Sequence, residues 1–177
     1  VSCARVVMDR DESVWFSILF FFFFFPDTAT TEIYLFPYTT LSDLLASYAI
    51  GAEIAYLYIR GEYVLCIERL ETALAEAYGK GYLGRDILGS GFNLDIHMHV
   101  GAGAYICGEE TAMLESIEGR RGEPKLKPPF PAVAGLYECP TVINNVETLA
   151  CLPHIVNRGV EWFRGTGPEQ KIGTAHV

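Results

Sequence analysis

The sequence contains no pair of cysteines spaced as C-x-x-C, the pattern that holds zinc or an iron–sulfur cluster. Five cysteines occur among its 177 residues, and even the nearest two, Cys139 and Cys151, are twelve positions apart. An odd number of cysteines without a compact framework is typical of a reducing compartment. We therefore expect neither a metal site within this chain nor a disulfide scaffold.

Positive charge is also scarce. The chain has 13 lysines and arginines against 22 aspartates and glutamates, which gives a net charge of −9. General nucleic-acid binding needs clustered basic side chains against phosphate, so this class of function is excluded. One local concentration of basic residues comprises Arg120, Arg121, Lys125 and Lys127. We interpret it either as a solvated face or as an anion site.

The sequence offers no segment long enough to span a membrane. The apolar run from Val14 to Phe25 has about twelve residues, whereas a spanning helix needs about 20. The residues before it are mostly acidic and no small-x-small cleavage site comes after it, so it does not read as a signal peptide. We expect no direct membrane span. A membrane-attached interaction module, anchored by Phe16 to Phe25, stays open as an alternative.

Residues 14–42 read unlike a natural segment. DTATTEIY is what a widely used sequencing adapter encodes when translated, LFPYTTL is encoded by a later part of the same oligonucleotide, and a phenylalanine run is what a poly-T tract encodes. Six consecutive phenylalanines would also overfill an ordinary core. We interpret residues 1–45 as a non-homologous, artefactual segment and exclude them from fold reasoning. We expect residues 14–42 to make few contacts with the rest of the chain.

Residues 46–167 alternate between strand and helix patterns and predict one α/β domain, with a divergent tail at 168–177. The patterns predict a strand at Ile54 to Arg60, a helix ending near Gly79, and a second strand within 92–100. A glycine-rich loop and a helix starting near Thr111 complete a βαβα order, which implies parallel strands.

Farther along the chain, the spacing of Asn144 and Glu147 is that of a capping box and predicts the start of another helix. Pro153 is expected to kink that helix or to separate it from a second one. Gly159 is the residue type expected just beyond a helix C-terminus.

The loop GAGAYICGEETAML (101–114) is neither a P-loop, since no G-K-[ST] ends it, nor a G-x-G-x-x-G fingerprint. Glu109 and Glu110 are predicted to lie at the N-terminus of the following helix, where the macrodipole favours negative charge. There they would repel a phosphate but would accept hydrogen bonds from hydroxyl or amide groups. The loop is therefore a candidate nucleotide site, the alternative being an ordinary acidic helix start.

The motifs YICGEETA, KPPFPA and NNVETLA resemble the flavin-binding core of the NADH-oxidising, 51-kDa-type subunit of respiratory complex I. Related diaphorase subunits of NAD-linked hydrogenases and formate dehydrogenases share these motifs. The resemblance implies a Rossmann-like α/β domain, a parallel sheet with flanking helices, that binds FMN and NADH. It also implies NADH dehydrogenase activity, in which hydride passes from NADH to FMN and electrons then pass to an iron–sulfur cluster.

The resemblance implies three groups of cofactor-binding residues. The first belongs to the loop that lies against flavin and nicotinamide: Gly103, Tyr105, Gly108, Glu109 and Glu110. The second comprises Lys127, near the dinucleotide phosphates, and Phe130, which stacks on adenine. The third contacts the ribityl phosphate region of FMN: Asn144, Asn145 and Thr148. Glu110 is implied to hydrogen-bond the dinucleotide and is the candidate catalytic-site residue.

The resemblance also implies features of a longer parent protein. Upstream motifs of the GRGGAGFP and ESEPGT types and a downstream four-cysteine motif for a 4Fe-4S cluster are not found in these residues. We therefore expect a fragment that is inactive alone and binds FMN weakly or not at all. Two alternatives stay open: a hydrogenase or formate dehydrogenase diaphorase subunit, and a non-functional chimeric reading frame.

The implied partners of the parent are NADH and other peripheral-arm subunits of complex I, especially the 24-kDa-type thioredoxin-like iron–sulfur subunit. The implied location is the cytoplasmic face of the bacterial inner membrane, as a peripheral subunit, or the matrix side in mitochondria.

Overall fold

The structure, a computed structural model, describes residues 17–21 and 35–166, with side chains described from 41 to 165. Its strands are β1 (Ser17–Phe21), β2 (Ile54–Arg60), β3 (Asp95–Gly101) and β4 (Thr141–Asn145). Its helices are α1 (Leu35–Ile50), α2 (Val64–Gly79), α3 (Glu110–Ile117), α4 (Val146–Ala150), α5 (Leu152–Arg158) and α6 (Val160–Thr166). Among the residues described, no helix is both long enough and apolar enough to cross a bilayer.

The four strands form one parallel sheet in the order β3-β2-β1-β4. Helix α1 lies between β1 and β2 along the chain, α2 between β2 and β3, and α3 between β3 and β4. The order 3-2-1-4 is that of a Rossmann core, in which the direction of winding reverses between the first and fourth strands. The predicted Rossmann-like parallel sheet with flanking helices is confirmed.

The expectation that residues 14–42 make few contacts is wrong for β1. This strand pairs in parallel with β2, from Ser17 opposite Ile54 to Phe21 opposite Tyr58, and with β4 on its other side. A continuous apolar run suits a strand that is covered on both faces of a parallel sheet. The objection that six phenylalanines overfill a core does not apply, because the strand contains only Phe20 and Phe21 of the six.

The origin of the N-terminal segment is a separate question, and its assignment as artefactual stays a prediction. Most of residues 1–34, including Phe22 to Phe25 of the phenylalanine run, lie outside the described residues. The divergent tail predicted at 168–177 lies outside them as well.

Two apolar clusters cover the two faces of the sheet. Alternate residues of β2 point to opposite faces: Leu57 and Ile59 join one cluster, which includes apolar side chains of α2, and Tyr58 joins the other. The second cluster contains Met113 and Ile117 of α3. Because helices cover both faces of the sheet, the surface left for a ligand lies along the ends of the strands.

Strand β4 and the helix start after it differ from the sequence prediction. Residues 141–145 form a strand, so Asn144 lies within β4 and does not cap a helix. Asn145 is the residue that caps α4, because its Oδ1 accepts a hydrogen bond from the Glu147 backbone N–H at 2.8 Å. Pro153 lies in the first turn of α5 and separates it from α4, which is one of the two outcomes expected for it.

Candidate functional site

Three chain segments meet at the carboxyl edge of the sheet. The chain leaves β2 at Arg60, β3 at Gly101 and β4 at Asn145, and because all strands are parallel these ends lie along one edge. The outer strands β3 and β4 are three strand spacings apart, so their ends are separated by about 14 Å. Sheets of this order bind ligands along this edge, near the reversal point between β1 and β4.

The glycine loop after β3 is packed against Glu62, a residue that sequence reasoning missed. Gly103 has a φ of +84°, and a Cβ added there would lie 2.9 Å from Glu62 Oε1. That same oxygen accepts a hydrogen bond from Arg60 Nη2 at 3.0 Å. A hydrogen bond from its own backbone N–H, supported by Arg60, lowers the pKa of Glu62. The positive φ therefore favours glycine at position 103, whereas the contact with the flexible Glu62 side chain can be relieved by a shift of that side chain.

Glu109 is the N-cap of α3. Its Oε2 accepts hydrogen bonds from the Ala112 backbone N–H at 2.9 Å and from the Thr111 hydroxyl at 2.5 Å. Burial raises the pKa of Glu109, but these hydrogen bonds and the nearby charge of Lys127 outweigh it, so that the pKa lies below its usual value. The carboxylate is thus ionised and fixed in orientation by its own helix.

Glu110, the first residue of α3, faces Lys127 across the loop. Lys127 Nζ donates to Glu110 Oε1, and its distance to Glu109 Oε1 is 3.7 Å. The hydrogen bond to Glu110 is the largest of the effects that raise the pKa of Lys127. Side chains from two segments seventeen residues apart, both assigned to the site from sequence, are therefore brought into contact.

Each member of the basic cluster at 120–127 has a carboxylate partner, and the choice between a solvated face and an anion site stays a prediction. Arg120 Nη2 donates to Glu115 Oε1 at 2.7 Å and also contacts Glu118, and Lys125 pairs with Glu115. Arg121 pairs with Glu123 at 3.2 Å at the surface.

Glu115 is the centre of this cluster. It is buried in α3 with a side chain only 10% exposed, and its two basic partners hold its pKa at about 2, with Arg120 contributing most and Lys125 next. The pairs fasten the segment after α3 to the helix. No spacing rule in the sequence indicated this role for Glu115.

The other residues assigned to the site differ in position: Phe130 precedes Pro131, whose carbonyl accepts a hydrogen bond from the Thr141 N–H at the start of β4. Tyr105 is 72% exposed in the glycine loop, and Phe130 is 58% exposed three residues after Lys127. Asn145 stands at the end of β4, and Thr148 is exposed on α4. Exposed aromatic rings are the side chains on which a planar ligand can stack.

Residues 43–154 match the sequence profile of the family described as Nuo51 FMN-binding domain (Complex1_51K). The chain belongs to this family. The match covers β2, β3, β4 and α2 to α4 in full, and with them the glycine loop and every residue assigned to the site from sequence. The family identified from the motifs is therefore confirmed.

Curated relatives support the same assignment. The chain is 71% identical over 129 residues to the F 2 subunit of the NADH-quinone oxidoreductase of Rhizobium meliloti (strain 1021), a match covering 73% of this chain and 31% of the relative. It is 62% identical over 130 residues to the F subunit of the Mycobacterium bovis NADH-quinone oxidoreductase, covering 73% of this chain and 29% of the relative. The chain thus spans about three tenths of the length of the curated relatives it matches.

Solved structures give the same fold. An NAD+-reducing [NiFe]-hydrogenase in the H2-reduced state is similar with a TM-score of 0.72 and 32% identity, over 90% of this chain and 27% of that chain. The air-oxidized state is similar with a TM-score of 0.67 over 85% of this chain and 25% of that chain. Because the curated relatives are far more similar in sequence, they favour the complex I subunit over the hydrogenase diaphorase alternative.

Proposed function

We propose that this chain supplies the part of an NADH-quinone oxidoreductase flavin subunit that contacts NADH and FMN. The observation that carries the proposal is the meeting of Glu109, Glu110 and Lys127 at the carboxyl edge of a Rossmann-ordered sheet, within the part of the chain that matches the FMN-binding family. Carboxylates at that edge accept hydrogen bonds from sugar hydroxyls and amides, and a lysine pairs with phosphate.

The residues at this edge fit a flavin and a dinucleotide. The loop after β3 is glycine-rich, which lets a planar ring system approach the backbone closely. Asn145 uses its Oδ1 to cap α4, which leaves its Nδ2 as a donor for a phosphate or carbonyl oxygen.

The chemistry that FMN supplies when bound is acceptance of a hydride from NADH and release of its electrons to a one-electron acceptor. The protein's residues bind and orient. Glu110 exchanges its bond with Lys127 for one with a ribose hydroxyl or the nicotinamide amide, and Lys127 turns toward the dinucleotide phosphates. Glu109 does not need to move, because α3 holds its carboxylate in place. Phe130 offers an exposed ring on which adenine stacks.

We propose further that the parent subunit contains the 4Fe-4S cluster that takes electrons from FMN, and that it contacts the 24-kDa-type thioredoxin-like iron–sulfur subunit. The parent is then a peripheral subunit on the cytoplasmic side of a bacterial inner membrane, or on the matrix side in mitochondria. The family membership and the curated NADH-quinone oxidoreductase relatives support this placement among complex I subunits.

A segment exchange tests the proposed function. Residues 43–154 of this chain replace the matching part of the Rhizobium meliloti subunit, and the exchanged subunit is assayed for bound flavin, NADH affinity and NADH oxidation with a soluble electron acceptor. We expect flavin retention and NADH oxidation at a rate comparable to that of the unmodified relative. A folded subunit that retains neither flavin nor NADH would contradict the proposal.

In the same exchanged subunit, Glu110→Gln removes the charge but keeps the size and one acceptor. Loss of a charge-assisted hydrogen bond worth about 1.5–3 kcal/mol should weaken NADH binding by about ten- to a hundred-fold with little change in flavin content. Glu53→Gln is the control, because Glu53 is an exposed carboxylate at the opposite, amino edge of β2. If Glu110→Gln instead removes the flavin and leaves NADH affinity intact, the carboxylate serves a different ligand.

A further inference from the structure

Thr111 connects the Glu109–Glu110 pair with the segment that contains Lys125 and Lys127. It is the second residue of α3 and only 4% exposed. Its hydroxyl donates to Glu109 Oε2 at 2.5 Å and accepts from the Lys125 backbone N–H at 2.7 Å. A threonine hydroxyl has one proton to donate and lone pairs to accept, so one side chain bonds both partners at once.

The contact between Thr111 and Lys125 bears on the position of Lys127, which lies two residues farther along the chain. Lys125 itself is fourteen residues beyond Thr111. Lys127 pairs with Glu110 and approaches Glu109. The segment 125–127 is therefore held to α3 at two points: the Lys125 backbone N–H bonds Thr111, and the Lys127 side chain pairs with Glu110.

Few of the contacts described for residues 123–130 can set the position of Lys127, although Gly122 just before them is packed against Cys107. Residues 123–130 are all exposed, and Leu126, between the two lysines, is 94% exposed. The segment therefore has no apolar anchor of its own next to the site within the described part of the chain. The ion pair of Lys125 with Glu115 keeps the segment near α3, but a flexible lysine side chain does not fix the backbone from which Lys127 projects.

We propose that Thr111 is a positioning residue, whose buried hydroxyl holds the Lys127 segment in register with the Glu109–Glu110 pair. Thr111 itself contacts no ligand. It keeps Lys127 within reach of Glu110 before the dinucleotide arrives and within reach of the phosphates afterwards. The identity of that ligand rests on the proposed function, whereas the positioning of Lys127 does not.

The test uses the full 177-residue chain, isotopically labelled for NMR, in the wild type and three variants. Thr111→Val keeps the shape of the side chain and removes both hydrogen bonds. Thr111→Ser keeps the hydroxyl. Thr72→Val is the matched control, because the Thr72 hydroxyl donates to the Glu68 carbonyl on the exposed face of α2. The measurements are hydrogen exchange of the Lys125 amide, the pKa of Lys127 from its 13Cε shift, and NADH affinity by chemical-shift titration.

In Thr111→Val we expect the Lys125 amide to exchange at least about ten-fold faster. The pKa of Lys127 should return toward its ordinary value, and NADH affinity should fall by about five- to ten-fold, as for the loss of one ordinary hydrogen bond. Thr111→Ser should restore all three properties, and Thr72→Val should leave them unchanged. A role in overall stability alone would not move the Lys127 pKa of a folded variant.

Two results would overturn the inference. One is a folded Thr111→Val chain in which Lys125 protection and the Lys127 pKa are both unchanged. The other needs no variant: a wild-type Lys125 amide that exchanges as fast as that of exposed Leu126 would show that the hydrogen bond to Thr111 is not maintained. Should the isolated wild type fail to bind NADH while the Lys127 pKa still depends on Thr111, the positioning role stands, and the exchanged subunit described above decides the proposed function.

Discussion

Asp43 is a buried carboxylate whose replacement by asparagine should stabilise the protein toward neutral pH. It lies in α1, is 1% exposed, and neither of its oxygens has a partner at hydrogen-bond geometry in the part of the chain that the structure describes. The hydroxyl of Ser47, one turn later, is likewise buried and unpartnered among the described residues. Burial raises the pKa of Asp43 well above its usual value of 3.8, an effect that the adjacent Ser42 only partly opposes.

The sign and the size of the effect are set by proton linkage. Between the ordinary pKa and the raised one, the unfolded chain has released the Asp43 proton while the folded chain still holds it. The free energy of unfolding therefore falls as pH rises, by about 1.4 kcal/mol for each pH unit, until pH reaches the raised value. Asp43→Asn removes the titrating proton and keeps the shape. The variant should equal the wild type near pH 4 and exceed it increasingly toward neutral pH.

Urea denaturation followed by circular dichroism, repeated at pH values from about 4 to 7, measures the difference directly. The pH at which the two stability curves become parallel gives the pKa of Asp43 in the folded state. Glu71→Gln serves as the matched carboxylate-to-amide control, because Glu71 is exposed on α2. Curves for Asp43→Asn and wild type that stay parallel over the whole range would refute the reasoning.

Two further predictions concern the surroundings of the site. Glu115→Gln should remove a contribution to stability that is complete above about pH 4.5 and is lost as pH falls toward 2. The reason is that Arg120 and Lys125 hold the folded-state pKa of Glu115 at about 2. If wild type and variant lose stability alike over this range in acid denaturation, the prediction is contradicted. Gly103→Ala should destabilise the chain by about 1–3 kcal/mol, chiefly because alanine would have to adopt a positive φ, with a smaller part from the contact with the flexible Glu62 side chain. The Gly103→Ala, Glu62→Ala double variant separates the two causes: it should recover the part due to the contact, and thermal unfolding that shows no loss in the single variant would count against the account.

The elements nearest the site can be predicted because their sequence patterns are local. The predicted limits of β2 are those observed, and the helix after the glycine loop begins within a residue of its expected position. Both carry regular apolar periodicity and end at glycine or at acidic capping residues. The site residues are a similar case: Glu109, Glu110 and Lys127 belong to contiguous motifs, and the structure brings them together.

Other features depend on contacts between distant residues, which no local pattern encodes. Thr111 and Glu62 have no distinctive spacing, and their roles arise only when Lys125 and Gly103 are folded against them. Strand β4 is not predicted, because five residues with mostly intermediate side-chain burial show no clear period. The composition of β1 argues against a natural core strand, although a short apolar run satisfies what a strand in the middle of a parallel sheet requires.

A central strand of a Rossmann sheet usually both completes the sheet and leads into ligand-binding residues. In β1 these two roles can be considered separately. Hydrogen bonds between parallel strands join backbone to backbone, so β2 and β4 can accept a neighbour at 17–21 with little regard to its side-chain chemistry. The reversal point of the sheet lies at the carboxyl end of this same strand, where a Rossmann fold presents its ligand. Completing the sheet therefore requires only five extended, mostly apolar residues, whereas placing ligand-binding groups at that end requires a particular sequence. A chain can meet the first demand without meeting the second, so a sound scaffold is not in itself a measure of catalytic competence.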